Sequence, residues 1–208
     1  AILLLPVVPK AKPVDPPTGV TLARLQYDGG GDWYNGPTEA PNLLAFIRRT
    51  TPIDAAEEEA RVQIMDEDLF AFPLLYMTGH GNVRLTEEEV RRLRIYLEHG
   101  GFLLANDDYG LDAAFRREIG RVFPDKRLVE LPPTHGIFRE PFSFPDGLPK
   151  IHEHDGKRPQ ALALFEGNRT LLLYTFESDL GDGWEDAAVH GDLEEKRQGA
   201  LRMGTNIV

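Results

Sequence analysis

Two apolar runs, "FPLLYMTGHGN" (72–82), which ends in glycines, and "FLLAND" (102–107), enclose one clear helix pattern. An apolar run without polar alternation reads as a strand covered on both faces, which is the condition of a parallel sheet rather than a half-wet antiparallel one. The segment between them carries its own punctuation. Thr86 and Glu89 make a capping box, Val90, Leu93 and Leu97 form one apolar stripe, and Gly100-Gly101 stop the helix. Glu87–Arg91 and Glu88–Arg92 stand at i,i+4 on the wet side. A strand, a crossover helix and a second strand in under forty residues commit the chain to an α/β fold.

The flanking sequence extends the pattern. "VTLARLQYD" (20–28) reads as a first strand, "PNLLAFIRRTT" as a helix, and "ARVQIM" as a short strand. "DAAFRREIGRVF" (112–123) reads as a helix with Phe115, Ile119 and Val122 inward, and "RLVEL" as one more strand of the parallel set. Alternation of this kind predicts a doubly wound, mostly parallel sheet between two helical layers. "ALALFE" and "RTLLLYTF", joined by Gly167-Asn168, read as a hairpin extension, and "LEEKRQGALRMGTNIV" as a last helix. The 208 residues fit one domain over 20–208. Residues 1–19, "AILLLPVVPKAKPVDPPTG", read as a signal-peptide remnant or a proline-rich linker.

Composition removes several chemistries. The formal net charge of −11 disfavours a nucleic-acid partner or an anionic membrane surface, leaving a small molecule or a protein as partner and the membrane only through a segment ahead of residue 1. With no cysteine there is no thiol nucleophile, disulfide or thiolate metal site. Neither Ser143 nor Ser178 has the glycine setting of a hydrolase elbow.

Ligands of an open parallel sheet bind beyond the carboxyl ends of its strands. Three such ends are polar and glycine-rich: Asp28, Gly30, Asp32 and Trp33; Gly79, His80, Gly81 and Asn82; and Asn106, Asp107, Asp108 and Tyr109. Their glycines would let backbone approach a ligand. Trp184 joins them as a second tryptophan in a glycine-rich acidic stretch, "FESDLGDGWED", which otherwise reads as a solvated loop. None of the loops is a P-loop or dinucleotide fingerprint. The run "HEHD" supplies His152 and His154, which share one face if 151–155 is extended, and with Glu177 and Asp179 they make a candidate divalent-metal set. Asp107, Asp108 and His80 are the candidate acid–base groups.

The strings "LARLQYDGGGDWYN", "LYMTGHGNVRLTEEEVRRLRIYLEHGGFLLANDDYG", "GLPKIHEHDGK" and "YTFESDLGDGWED" together resemble bacterial domain-of-unknown-function family 4159. The resemblance implies a three-layer flavodoxin-like sandwich of the class I glutamine-amidotransferase-like superfamily, close to trehalose-utilisation-like proteins, and an exported or envelope location. It also implies a pocket at the turn after 102–106. There active amidotransferases carry a cysteine, and this chain has Asn106-Asp107-Asp108-Tyr109, so glutamine amidotransfer is excluded. Two functions follow as expectations: a ligand- or protein-binding domain on that scaffold, or a metal-dependent hydrolase acting on a carbohydrate or related small molecule.

Overall fold

A computed structural model describes residues 19–208; the N-terminal signal or linker reading falls almost wholly outside them. The strands are β1 (Ala23–Gln26), β2 (Ala60–Gln63), β3 (Leu74–Met77), β4 (Phe102–Asn106), β5 (Val129–Glu130), β6 (Gln160–Glu166) and β7 (Arg169–Phe176). The helices are α1 (Glu39–Thr50), α2 (Glu87–Glu98), α3 (Asp112–Val122), α4 (Leu180–Trp184), α5 (Ala187–His190) and α6 (Glu194–Ile207). All seven strands form one sheet in the order β2-β1-β3-β4-β7-β6-β5.

Five neighbours, β2 through β7, run parallel; β6 is antiparallel to β7, and β5 to β6. Period-two alternation divides the apolar runs between two cores. Leu103 and its partner Leu172 pack with Leu93, Leu97, Phe115 and Ile119 of α2 and α3. Leu104 and its partner Leu173 pack on the other face with Leu43 and Leu44 of α1, Trp184 of α4 and Met203 of α6. Both faces of the sheet are therefore covered, which is why these strands show no polar alternation.

Two expectations are corrected. The hairpin is no appendage: β7 lies against β4 in the middle of the sheet and continues its parallel part. "RLVEL" does not extend the parallel set either, since β5 is a two-residue edge strand antiparallel to β6. β7 is the longer strand and is buried from Leu171 to Phe176, and so takes the central place. On α2 the capping box forms as expected. The two pairs read from the sequence reach outward instead: Glu87 pairs with Arg121 of α3 at 2.6 Å, and Arg92 donates to the Asp66 carbonyl, while Arg94 and Glu98 pair along the helix at 2.9 Å.

Candidate functional site

The loops after β1 and β3 close on each other. Gly31 N–H donates to the Asn82 carbonyl at 2.9 Å, Asp32 N–H to the His80 carbonyl at 3.2 Å, and the Asn82 amide to the Gly29 carbonyl at 3.0 Å. Asp32 also takes the His80 backbone N–H and stands 3.2 Å from its Nδ1. A Cβ on Gly29 would lie 2.6 Å from Arg84 N, and one on Gly79 would lie 2.5 Å from the Tyr27 hydroxyl. At Gly29 and Gly79 it is neighbouring protein that an added side chain would meet, whereas at Gly81 a Cβ would meet only Gly31 Cα at 3.7 Å. Gly30 alone faces open space, and Asp28 uses its carbonyl to accept from Arg84 N–H.

Beneath this loop pair lies Arg24, fully buried on β1. Its guanidinium donates to the carbonyls of Asn35 (2.6 Å) and Gly36 (2.9 Å) and pairs with Glu59 and Glu39. Glu39 is buried against the Tyr76 hydroxyl, and desolvation holds its carboxyl well above the usual range. Trp33 packs on the core edge, its carbonyl facing Arg24. Trp184 is fully buried, its indole N–H donating to the Ala200 carbonyl. It presents no face to a ligand, and α4 around it is a packed helix rather than a solvated loop.

The chemistry collects one step further along, at the ends of β4 and β7. Asp107 accepts from the Tyr174 hydroxyl (2.6 Å) and from Glu177 N–H (2.7 Å). Asp108 accepts from the Thr78 hydroxyl at 3.1 Å and from Gly79 N–H at 2.6 Å, tying the β3 turn to the β4 turn. Neither aspartate caps α3, which begins after Leu111. After β7 the chain takes two left-handed non-glycine residues, Glu177 and Asp179 (φ 58° and 57°). Such backbone costs about 1–3 kcal/mol and persists only where surroundings dictate it. Here it turns the Asp179 carboxylate back over the sheet edge, where the Asn106 amide meets it at 3.2 Å. Gly181 is required beside it, because a Cβ there would sit 2.8 Å from both Asn106 Nδ2 and Glu39 Oε1.

Segment 150–157 is not a strand, yet His152 and His154 do meet one acid. His154 Nε2 is 3.0 Å and His152 Nδ1 3.8 Å from Asp179 Oδ2, and His154 Nδ1 is 3.7 Å from Asp107. His152 then contacts Asp182 through Nδ1 and Asp192 through Nε2, each at 2.8 Å. His190 Nε2 lies 2.7 Å from Glu185 and 3.5 Å from Asp182. Carboxylates and imidazoles thus alternate from Asp107 to Glu185 along the carboxyl edge. Glu177 is left out of this chain: its carboxylate takes Lys150 at 2.8 Å and Asp155 N–H.

The charges follow the contacts. Hydrogen bonding to Asp179 and Asp182, then Asp192, pushes His152 up to about 10. Burial works against the charge of His154, but Asp107 and Asp179 outweigh it and also bring it to about 10. Burial would raise Asp179; His152, His154 and Asn106 instead hold it well below the carboxylate range. Asp108 has no cation of its own, so burial, reinforced by Asp179 and Asp182, pushes it up to about 7.

At the Asp107–His154 end of the carboxylate chain, a cleft of about 280 Å³ opens between the β4 turn and segment 154–157. Asp107, Tyr109, Asp112, His154, Lys157 and Phe176 line it. The Tyr109 ring, 60% exposed, stands edge-on to His154 at 5.7 Å. Sequence reading identified Asp107, Tyr109, His154 and Asp179, and missed Lys157, Asp182, His190 and Asp192. The acidic run carried the only signal for Asp182, and nothing local marked His190 or Asp192.

Fold and edge together define an open, mostly parallel α/β domain with a polar crevice beyond its strand ends. The family model described as "Domain of unknown function (DUF4159)" matches residues 21–208, and the chain belongs to that family. No curated protein matches it.

Proposed function

We propose that this chain is a small-molecule-binding domain whose ligand sits in the cleft between the β4 turn and segment 154–157. The observation that carries the reading is the exposed Tyr109 ring beside the carboxylates of Asp107 and Asp112 and the Lys157 ammonium. A cleft of about 280 Å³ falls just below the usual range of ligand sites, roughly 300–1,000 Å³, and so suits only a small ligand. Acceptors, one flexible cation and an aromatic face suit a small molecule bearing hydroxyl or amino groups. The strand order β2-β1-β3-β4-β7 supports the flavodoxin-like, amidotransferase-like scaffold, with aspartate at the turn where that superfamily carries its nucleophile. The exported or envelope location that the family resemblance implies is part of this reading, and fractionation of the native cells tests it directly.

The test is a thermal-shift panel of monosaccharides, amino sugars and polyamines at millimolar concentration. At least one compound raises the wild-type midpoint, and Tyr109→Ala abolishes that rise while unfolding at its own undisturbed midpoint. A silent panel, or a rise unchanged in Tyr109→Ala, overturns the reading. A metal-dependent hydrolase is the second reading, favoured by the 3.7 Å approach of His154 to Asp107 at the cleft wall. Divalent-ion-dependent turnover of nitrophenyl glycosides, lost in Asp107→Asn, would establish it in place of the first.

A further inference from the structure

His152 has a carboxylate on each ring nitrogen, at 2.8 Å in both cases. A neutral imidazole has one N–H and satisfies one of these acceptors; the other needs a second proton or a cation. The two contacts are not equivalent in their surroundings. At Nε2 stands Asp192 alone, itself paired with Lys196 at 3.2 Å. On the Nδ1 side Asp182 converges with His190, and one ligand atom from each of His152, Asp182 and His190 lies within 4.8 Å of the others. The two imidazole rings are 4.9 Å apart.

We propose that His152, Asp182 and His190 hold a divalent transition ion of the zinc class, with Asp192 accepting the far N–H of His152. Two nitrogens and one oxygen are a common donor set for zinc, and three protein ligands leave the fourth position to solvent. Ligand atoms around a tetrahedral ion at ~2.1 Å are roughly 3.4 Å apart. His190 Nε2 stands 3.5 Å from Asp182 Oδ1 and His152 Nδ1 2.8 Å from Asp182 Oδ2, so the two imidazoles approach the two oxygens of one carboxylate. The first separation fits that spacing, and the second opens by about 0.6 Å to reach it. The Asp192 contact is the carboxylate–imidazole arrangement that fixes the tautomer of a metal-bound histidine, leaving Nδ1 as the ligating atom. Glu185, 2.7 Å from His190 Nε2, is placed to shift onto the ion or to bond its solvent ligand. The ligands come from three separate pieces of chain. Segment 150–157 is pinned by Ile151 N–H on the Ser178 carbonyl at 2.8 Å, Asp182 lies on α4, and His190 ends α5. A bound ion therefore staples the acidic stretch after β7 to the segment that forms one wall of the cleft.

The experiment titrates untagged, chelator-stripped protein with Zn²⁺ by calorimetry and follows Co²⁺ by its visible absorption. The wild type takes up one ion per chain, and Co²⁺ shows the strong bands of a four-coordinate site. His190→Ala alters a side chain 29% exposed at the end of a surface helix, so it keeps its fold, checked by circular dichroism, and loses at least tenfold in affinity. Asp192→Asn binds with unchanged stoichiometry and about 10–100-fold more weakly, the usual cost of losing such a partner. His99→Ala, a histidine on α2's C-terminus, binds as the wild type does. Three results overturn the site: no saturable Zn²⁺ uptake by the wild type, undiminished affinity in His190→Ala, or preferential uptake of Ca²⁺. The metal is titrated alone, so failure here leaves the cleft reading standing, and failure of the cleft leaves this one.

Discussion

At the scale of single residues, Asp108 is the clearest case of environment setting chemistry. Its carboxylate is a structural acceptor, joining the β3 and β4 turns through Thr78 and Gly79. Burial and the neighbouring acids raise it from 3.8 to about 7. A carboxyl raised in the folded state binds more protons folded than unfolded across that interval, so its contribution to stability declines as pH rises from about 4 to 7. Urea unfolding at pH 5 and pH 8 should therefore show a larger loss for the wild type than for Asp108→Asn, which carries no titrating group. With one oxygen in place of two, the variant gives up the acceptor for either Gly79 N–H or the Asn106 amide, about 1 kcal/mol, at both pH values. Equal losses in the two proteins would mean that Asp108 is ionised in the folded state throughout. The sequence identified Asp108 by its place at a strand end, whereas its raised pKa depends on which charges the fold leaves beside it.

At the scale of elements, the joined β1 and β3 loops explain the glycines. Gly29 combines a φ of +121° with a backbone atom 2.6 Å from any added Cβ, so alanine meets both backbone strain and a clash with no flexible partner to yield. Gly29→Ala is expected to cost about 2 kcal/mol. Gly30→Ala also sits at positive φ (+94°) but meets nothing, so it costs less. Comparison of the two chemical-denaturation midpoints separates contact from conformation; an equal loss would show the loops to be apart in solution. Glycine clusters at strand ends were legible as turns. Their occupant was not, because a glycine serves a ligand and a neighbouring loop by the same absence of a side chain.

At the scale of the whole molecule, stability should concentrate where the two cores share strands. β4 and β7 have helices on both faces and a hydrogen-bonded strand on either side, whereas β5 is a two-residue edge with both residues exposed. Native-state hydrogen exchange should find the amides of Leu172, Leu173 and Tyr174 among the slowest and that of Val129 among the fastest. Fast exchange in β7 would return the hairpin to the status of an appendage. The central place of β7 also matters for the site, since only there can the turn at Glu177–Asp179 lie beside Asn106 and Asp107.

Apolar runs, the capping box and the glycine stops determined that this chain forms buried strands alternating with amphipathic helices, because hydrophobic period and backbone termini are local properties. Absence of cysteine likewise settled, residue by residue, which nucleophile it lacks. Tertiary structure alone decided that the hairpin enters the sheet, that β5 turns antiparallel, and that His152, Asp182 and His190 converge from separate segments. The reason is physical. Strand order depends on competition among long-range pairings, and the charge and partners of a buried histidine depend on groups tens of residues away, about which its sequence neighbours carry no information.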